Sequence, residues 1–149
     1  MRLRGRGRLD SAALAAALCE VVRRHEPLRT TYPETAGHPE PRIASGLDLA
    51  LPRVDLSRLP GPGREPEWRR LASEEARRPF DLAQGPLIRT VLVRLSSGTS
   101  GSENVLILNL HHIAADGWSM GVLVREITTL YEAFSAGRPS PLPPLALRY

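Results

Sequence analysis

Lysine is absent from these 149 residues, and all 20 basic side chains are arginine. A surface selected to hold nucleic acid more often mixes the two and interleaves exposed aromatics. Aromatics make up only 5% of the chain, so a net charge of +4 does not argue for a polynucleotide partner. The bias towards Ala, Arg, Gly and Pro fits a GC-rich coding sequence instead, and no nucleic-acid partner is expected. Cysteine is also scarce. The lone Cys19 excludes an intrachain disulfide framework and a multi-cysteine metal site, and in the Ala-rich run 12–22 it reads as a small buried core residue. No apolar stretch approaches the ~18–20 residues that span a bilayer. The opening Met1-Arg2-Leu3-Arg4-Gly5-Arg6-Gly7-Arg8 lacks the apolar centre of a signal peptide. A cytoplasmic protein without membrane contact is expected.

What is present is ordinary for a globular chain: 42% hydrophobic and 24% charged residues, enough for one domain with a core. Residues 2–9 alternate Arg with Leu or Gly, as in a strand with one charged face, with a basic tail as the competing reading. Asp10 or Ser11 can cap a helix that gathers Leu14, Leu18, Val21 and Val22 on one face. Arg23, Arg24 and His25 lie where a helix C-terminus favours positive charge, before Pro27. Residues 28–32 and 47–56 are strand-like, 57–66 is a Pro/Gly-rich connector, and 67–78 is a charged surface helix stopping at Pro79. The apolar runs 87–95 and 104–110 suit central strands, joined through a Ser/Gly turn as a hairpin. A last helix carries Met120, Leu123, Val124, Ile127, Leu130, Tyr131 and Phe134 at i, i+3, i+4 spacing, stopped at Gly137. Strands and helices in this order imply an α+β domain, a mixed β-sheet with helices packed on it.

Chemistry concentrates in Leu110-His111-His112-Ile113-Ala114-Ala115-Asp116-Gly117-Trp118-Ser119. A strand runs into two histidines, and Asp116-Gly117 then opens a helix. Adjacent strand residues point to opposite faces, so His111 and His112 cannot face one pocket alike. One is expected to be catalytic and the other structural. Asp116 can cap the helix or pair with a cation, and the Gly117 N–H could face an oxyanion. A packed structural pair is the bland alternative. A metal site would need a third ligand, and His25 and His38 lie in unrelated contexts; no metal is expected.

The decuplet closely resembles the HHxxxDG signature of condensation domains of nonribosomal peptide synthetases. Arg24-His25-Glu26-Pro27-Leu28-Arg29-Thr30-Thr31-Tyr32 resembles the same family's upstream RHExLRTxF motif. Arg78-Pro79-Phe80-Asp81-Leu82, followed by Gly85-Pro86-Leu87-Ile88-Arg89, is similar to the stretch between them. One departure is local: Glu40-Pro41-Arg42-Ile43-Ala44 stands where the family has a Gln-containing strand.

The resemblance implies one half, the N-terminal subdomain, of a chloramphenicol acetyltransferase-like fold over residues 1–149. The family's first motif and C-terminal subdomain are missing, and both ends of the chain look cut. It implies His112 as the catalytic residue, with His111, Asp116 and Gly117 at the site. It further implies an Arg24–Asp116 salt bridge, with Arg29 and Trp118 in support; the competing reading leaves Arg24 and Arg29 as solvated charges near a helix end. The implied reaction joins an acceptor aminoacyl thioester to a donor acyl or peptidyl thioester. No cofactor is bound directly. The substrates hang from phosphopantetheine on carrier proteins, which are the expected partners together with adenylation domains. Two alternatives remain: a related acyltransferase with alcohol acceptors, and a half-domain that docks a carrier or another chain without catalysis.

Overall fold

The computed structural model describes residues 1–98, 101–114 and 117–145, with the backbone alone at 117–119. In chain order the elements are β1 (Arg2–Arg6), α1 (Ser11–Arg24), a 3-10 turn (Glu26–Arg29) and the two-residue strands β2 (Thr30–Thr31), β3 (Glu34–Thr35), β4 (His38–Pro39) and β5 (Arg42–Ile43). There follow β6 (Arg53–Asp55), α2 (Gly61–Arg77), β7 (Ile88–Ser96), β8 (Glu103–Leu110) and α3 (Gly117–Ser135). The chain is of the mixed α+β class and divides into two compact units.

The first unit comprises residues 1–9, 50–79 and 89–109. Its sheet has the order β1-β8-β7-β6. β1 is antiparallel to β8, with Arg2 opposite Ile107 and Arg6 opposite Glu103, whereas β6 is parallel to β7. The charged face of β1 is held by Glu103, whose carboxylate accepts from Arg4 at 2.9 Å and Arg6 at 3.1 Å. Residues 104–108 of β8 are buried without interruption. Successive side chains point to opposite sides, so both faces of this strand are covered, as its unbroken apolar run predicts. On one side lies a cluster of Leu56, Trp68, Ala72, Val93, Leu95, Val105 and Ile107, to which α2 contributes Trp68 and Ala72 one turn apart.

Two expectations need correction here. The strand foreseen over 47–56 is confined to Arg53–Asp55, and the foreseen connector 57–66 contains the first turns of α2. Pro62 sits in the opening turn, where its missing N–H has no intrahelical partner to lose. Arg64 reaches back to the carbonyls of Ser57 and Leu59 and holds that turn. Further along, Glu65 pairs with Arg69, and Arg70 lies between Glu67 and Glu74. These local pairs, with the burial of Trp68, outweigh the low helix propensity of Gly61, Gly63 and Pro66.

The far end of α2 is closed by a residue from β7. Arg89 donates to the carbonyls of Glu75 (3.0 Å), Arg78 (2.8 Å) and Pro79 (3.2 Å), and to the Glu75 carboxylate (3.3 Å). A single guanidinium thus serves one carbonyl of the last turns of α2, that of Glu75, and two more on the chain leaving the helix.

The second unit comprises residues 10–49, 80–88 and 110–149. Asp10 caps α1, its carboxylate accepting from the N–H groups of Ala12 and Ala13 at 3.0 Å each. α1 buries Ala13, Leu14, Ala17, Leu18, Val21 and Val22. Cys19 lies off that stripe and is only half-buried, not the core residue expected of it. α1 packs against α3, which buries Leu123, Glu126, Ile127, Leu130 and Ala133. Gly137, at φ +67°, ends α3, and the Arg138 N–H returns to the Ala133 carbonyl at 2.9 Å. Residues 28–32, foreseen as β-prone, are split between the 3-10 turn and β2, which pairs with β5. Among the described residues no helix is long and apolar enough to cross a membrane.

Replacing Arg89 by Ala should strand these three carbonyls and cost about 1.5–3 kcal/mol, lowering the thermal midpoint by roughly 3–12 °C. Lysine should recover only part of this, because a point ammonium cannot span three carbonyls. A thermal melt that is unchanged in Arg89→Ala would refute the capping role.

Candidate active site

The three motif segments, far apart in sequence, are bonded to one another within the second unit. The Tyr32 N–H, ending the RHExLRTxF-like segment, donates to the Leu82 carbonyl at 2.7 Å. The His111 N–H donates to the Leu87 carbonyl at 3.0 Å. Between Leu82 and Leu87 the chain turns on Asp81, whose carboxylate accepts from Ala83 (2.9 Å) and Gln84 (3.1 Å). Gly85 completes the turn at φ +66°, and a Cβ there would meet the Thr31 methyl at 2.9 Å. Glycine is required at this position on both counts.

β8 ends at Leu110, and residues 111–114 form a turn closed by the Ala114 N–H to the His111 carbonyl at 2.9 Å. The two histidines differ in their surroundings. The Nδ1 of His111 accepts from the Ile113 N–H at 3.2 Å, which leaves Nε2 to carry the proton of the neutral ring. The same ring stands edge-on to Phe80, with centroids 5.8 Å apart and planes at 81°. His112, the next residue, is exposed, as is Ile113. α3 then begins at Gly117. Asp116 and the side chains of Gly117 and Trp118 lie outside the described residues, and with them the foreseen Arg24–Asp116 pair.

Arg24 itself is described, and it is not a solvated charge. Its side chain is 6% exposed and forms a two-pronged pair with Glu126 of α3, itself 8% exposed: Nε to Oε2 at 3.3 Å and Nη2 to Oε1 at 3.2 Å. The His25 Nε2 lies 2.8 Å from the same Oε2. One carboxylate therefore meets two neighbouring residues of the RHExLRTxF-like segment. Arg29 is also turned inwards, 13% exposed, bonded to the Glu26 carboxylate (3.3 Å) and to the Ala44 carbonyl. Its Nε is buried without a partner among the described residues.

Glu126 was not foreseen. A signal for it existed, since it falls three residues after Leu123 and four before Leu130, inside the apolar stripe of α3. A carboxylate in such a stripe requires a buried cation. Metal-ligand clusters are absent among the described residues.

The motif segments read from the sequence are thus joined to one another in one unit of a mixed α+β chain. The model of the family described as "Condensation domain" matches residues 1–149. The chain belongs to the condensation domain family. It is 48% identical to chondramide synthase cmdD of Chondromyces crocatus, over 96% of this chain and 4% of that protein. Identity to the phosphinothricin tripeptide synthetase PhsC of Streptomyces viridochromogenes is 42%, over 95% of this chain and 13% of that one. The X-domain from teicoplanin biosynthesis superimposes with a TM-score of 0.84 at 40% identity, covering 99% of this chain and 30% of the other. The chain thus spans a small part of its curated relatives and under a third of that solved structure.

Burial pushes the Glu126 carboxyl upwards, but the hydrogen bonds and charge supplied by Arg24 and His25 outweigh it and hold it below the ordinary 4.5. The unfolded chain therefore takes up this proton more readily than the folded chain. Stabilisation from Glu126 is complete above about pH 4.5 and is lost as pH falls through the lower folded value. Glu126→Gln should cost roughly 3 kcal/mol at neutral pH, because Arg24 loses its counter-charge. That gap to the native protein should narrow on acidification below about pH 4.5. Denaturant titrations across this range measure it, and a gap independent of pH would refute the pairing.

Proposed function

We propose that the chain supplies the N-terminal subdomain of a condensation domain, and that His112 is the catalytic residue for amide bond formation between carrier-bound thioesters. The difference between the two histidines carries this reading. His111 is engaged through its ring and its backbone, whereas the His112 imidazole is exposed at the strand end, available to a substrate.

On this reading the α-amine of an acceptor aminoacyl thioester attacks the donor thioester carbon. A C–N bond forms, and the tetrahedral intermediate expels the donor thiolate. The amine loses one proton and the leaving sulfur gains one, so His112 can accept the first and return it to the second. Donors near Gly117 would meet the oxyanion. Asp116, paired with Arg24, would hold the loop, with Arg29 and Trp118 in support. Both substrates would arrive on phosphopantetheine arms of carrier proteins, with adenylation domains in the same assembly line. Such proteins work in the cytoplasm. A related transferase acting on alcohols would depend far more on the base, since a hydroxyl keeps its proton near neutrality; offering matched amine and alcohol acceptors separates the two.

A second reading is favoured by one neighbour. The X-domain of teicoplanin biosynthesis has been solved in complex with OxyB and superimposes at a TM-score of 0.85 with 37% identity. By analogy this chain would be a docking module without transfer activity.

In a condensation domain carrying these residues, His112→Ala should abolish transfer between loaded carriers by at least ~100-fold while leaving circular dichroism and the thermal midpoint unchanged. Undiminished turnover would remove His112 from the mechanism. A folded native domain that binds carriers but transfers nothing would favour the docking reading.

A further inference from the structure

We infer that Glu126 is a positioning residue for this site: by locking α3 to the end of α1, it sets where that helix receives the chain leaving His112. The inference rests on the catalytic reading of His112 and goes beyond it, because Glu126 touches none of the reacting atoms.

Three hydrogen bonds converge on one carboxylate from two consecutive residues, Arg24 and His25. A planar guanidinium meeting both oxygens fixes the orientation of the carboxylate as well as its distance. Sliding α3 by one residue would move its axis by roughly 1.5 Å and turn it by roughly 100°. Either displacement takes Glu126 out of reach of both partners and leaves a guanidinium and a carboxylate buried and unpaired. The helix consequently has one permitted register against α1.

That register reaches the site through the helix backbone. Gly117 opens α3 nine residues before Glu126, roughly 13–14 Å along a rod that does not compress. The other end of the connection is fixed independently, since the His111 N–H is held by the Leu87 carbonyl at 3.0 Å. Four residues separate His112 from Gly117 in the sequence, so the helix end that Glu126 sets lies close in the chain to the imidazole. For a group that orients an amine, a misplacement of ~1 Å can cost ~100-fold in rate. A stripe of leucines would hold α1 and α3 together equally well, but would tolerate small slides that the carboxylate forbids.

The test uses Glu126→Gln and Glu126→Asp in the condensation domain carrying these residues, with His112→Ala as the control. The glutamine keeps the volume and one acceptor oxygen; the aspartate keeps the charge but withdraws it by one methylene. In folded Glu126→Gln, kcat should fall ~10–100-fold, with KM for the loaded acceptor carrier within about 2-fold of native. In the same variant the His25 Nε2 resonance should shift in a 15N spectrum. A purely structural role would lower the thermal midpoint and leave kcat per folded molecule unchanged, which overturns the inference, as does a loss confined to KM. Should the glutamine variant not fold, Glu126→Asp carries the same test: a several-fold fall in kcat supports it, and native kcat overturns it. Full turnover in His112→Ala would sink the histidine reading and this inference with it. A dead His112→Ala beside an undiminished Glu126 variant sinks this inference alone.

Discussion

A carboxylate that is 8% exposed, facing a guanidinium that is 6% exposed, constrains its surroundings in a way that apolar contacts do not. Moving two apolar side chains apart by an ångström loses some dispersion energy, and the gap can be refilled by neighbours. Moving Glu126 from Arg24 leaves two charges in a poorly solvating interior, at a cost of ~3–5 kcal/mol. That is a large share of the ~5–15 kcal/mol that separates a domain from its unfolded chain. His25, on the same carboxylate at 2.8 Å, removes the remaining rotational freedom. The α1–α3 pair is therefore fixed in register as well as in contact.

The same logic accounts for the motif segments as a group. Considered one at a time, Arg24–Tyr32, the Pro79–Leu82 stretch and the histidine pair are unremarkable loop and element ends. In the folded chain each supplies what another lacks. Leu82 accepts from Tyr32, Leu87 accepts from His111, and Phe80 receives the His111 ring. Gly85 leaves room for the Thr31 methyl. Arg89, two residues beyond Leu87 in the chain, performs a similar service inside the first unit at the end of α2. The residues that identify the family are thus largely those that hold backbone at fixed places.

This explains which parts were legible from sequence. α1, β7, β8 and α3 could be read because their burial follows a simple period: Leu14, Leu18, Val21 and Val22 on α1, and the unbroken run 104–108 on β8. The first turns of α2 could not be read, because Gly61, Pro62, Gly63 and Pro66 signal a loop, and the forces that overrule them come from Arg64 and Trp68, whose partners are set by tertiary structure. Cys19 was misread for a milder reason: composition suggested burial, and one step of roughly 100° around α1 from Leu18 puts it on the flank. At the site, strand alternation led to the expectation that His111 and His112 differ, but β8 ends at Leu110 and both histidines lie beyond it, where the turn and the contacts of His111 set their surroundings. Glu126 stayed hidden because a charged residue in an apolar stripe reads as noise until its cation is located a hundred residues upstream.

If the proposed amide formation is the reaction served, its chemistry favours this emphasis on position. An acceptor α-amine has a pKa of about 7.7–8.0, so an appreciable fraction is neutral and nucleophilic near neutrality without help. A histidine serving such an amine gains little from unusual basicity and much from being correctly placed when the tetrahedral intermediate forms. Orientation can supply ~7–11 kcal/mol of a barrier, far more than one proton transfer contributes. Such a reaction needs an accessible ring beside backbone that is held in place, as the Leu87 carbonyl holds the His111 N–H at 3.0 Å.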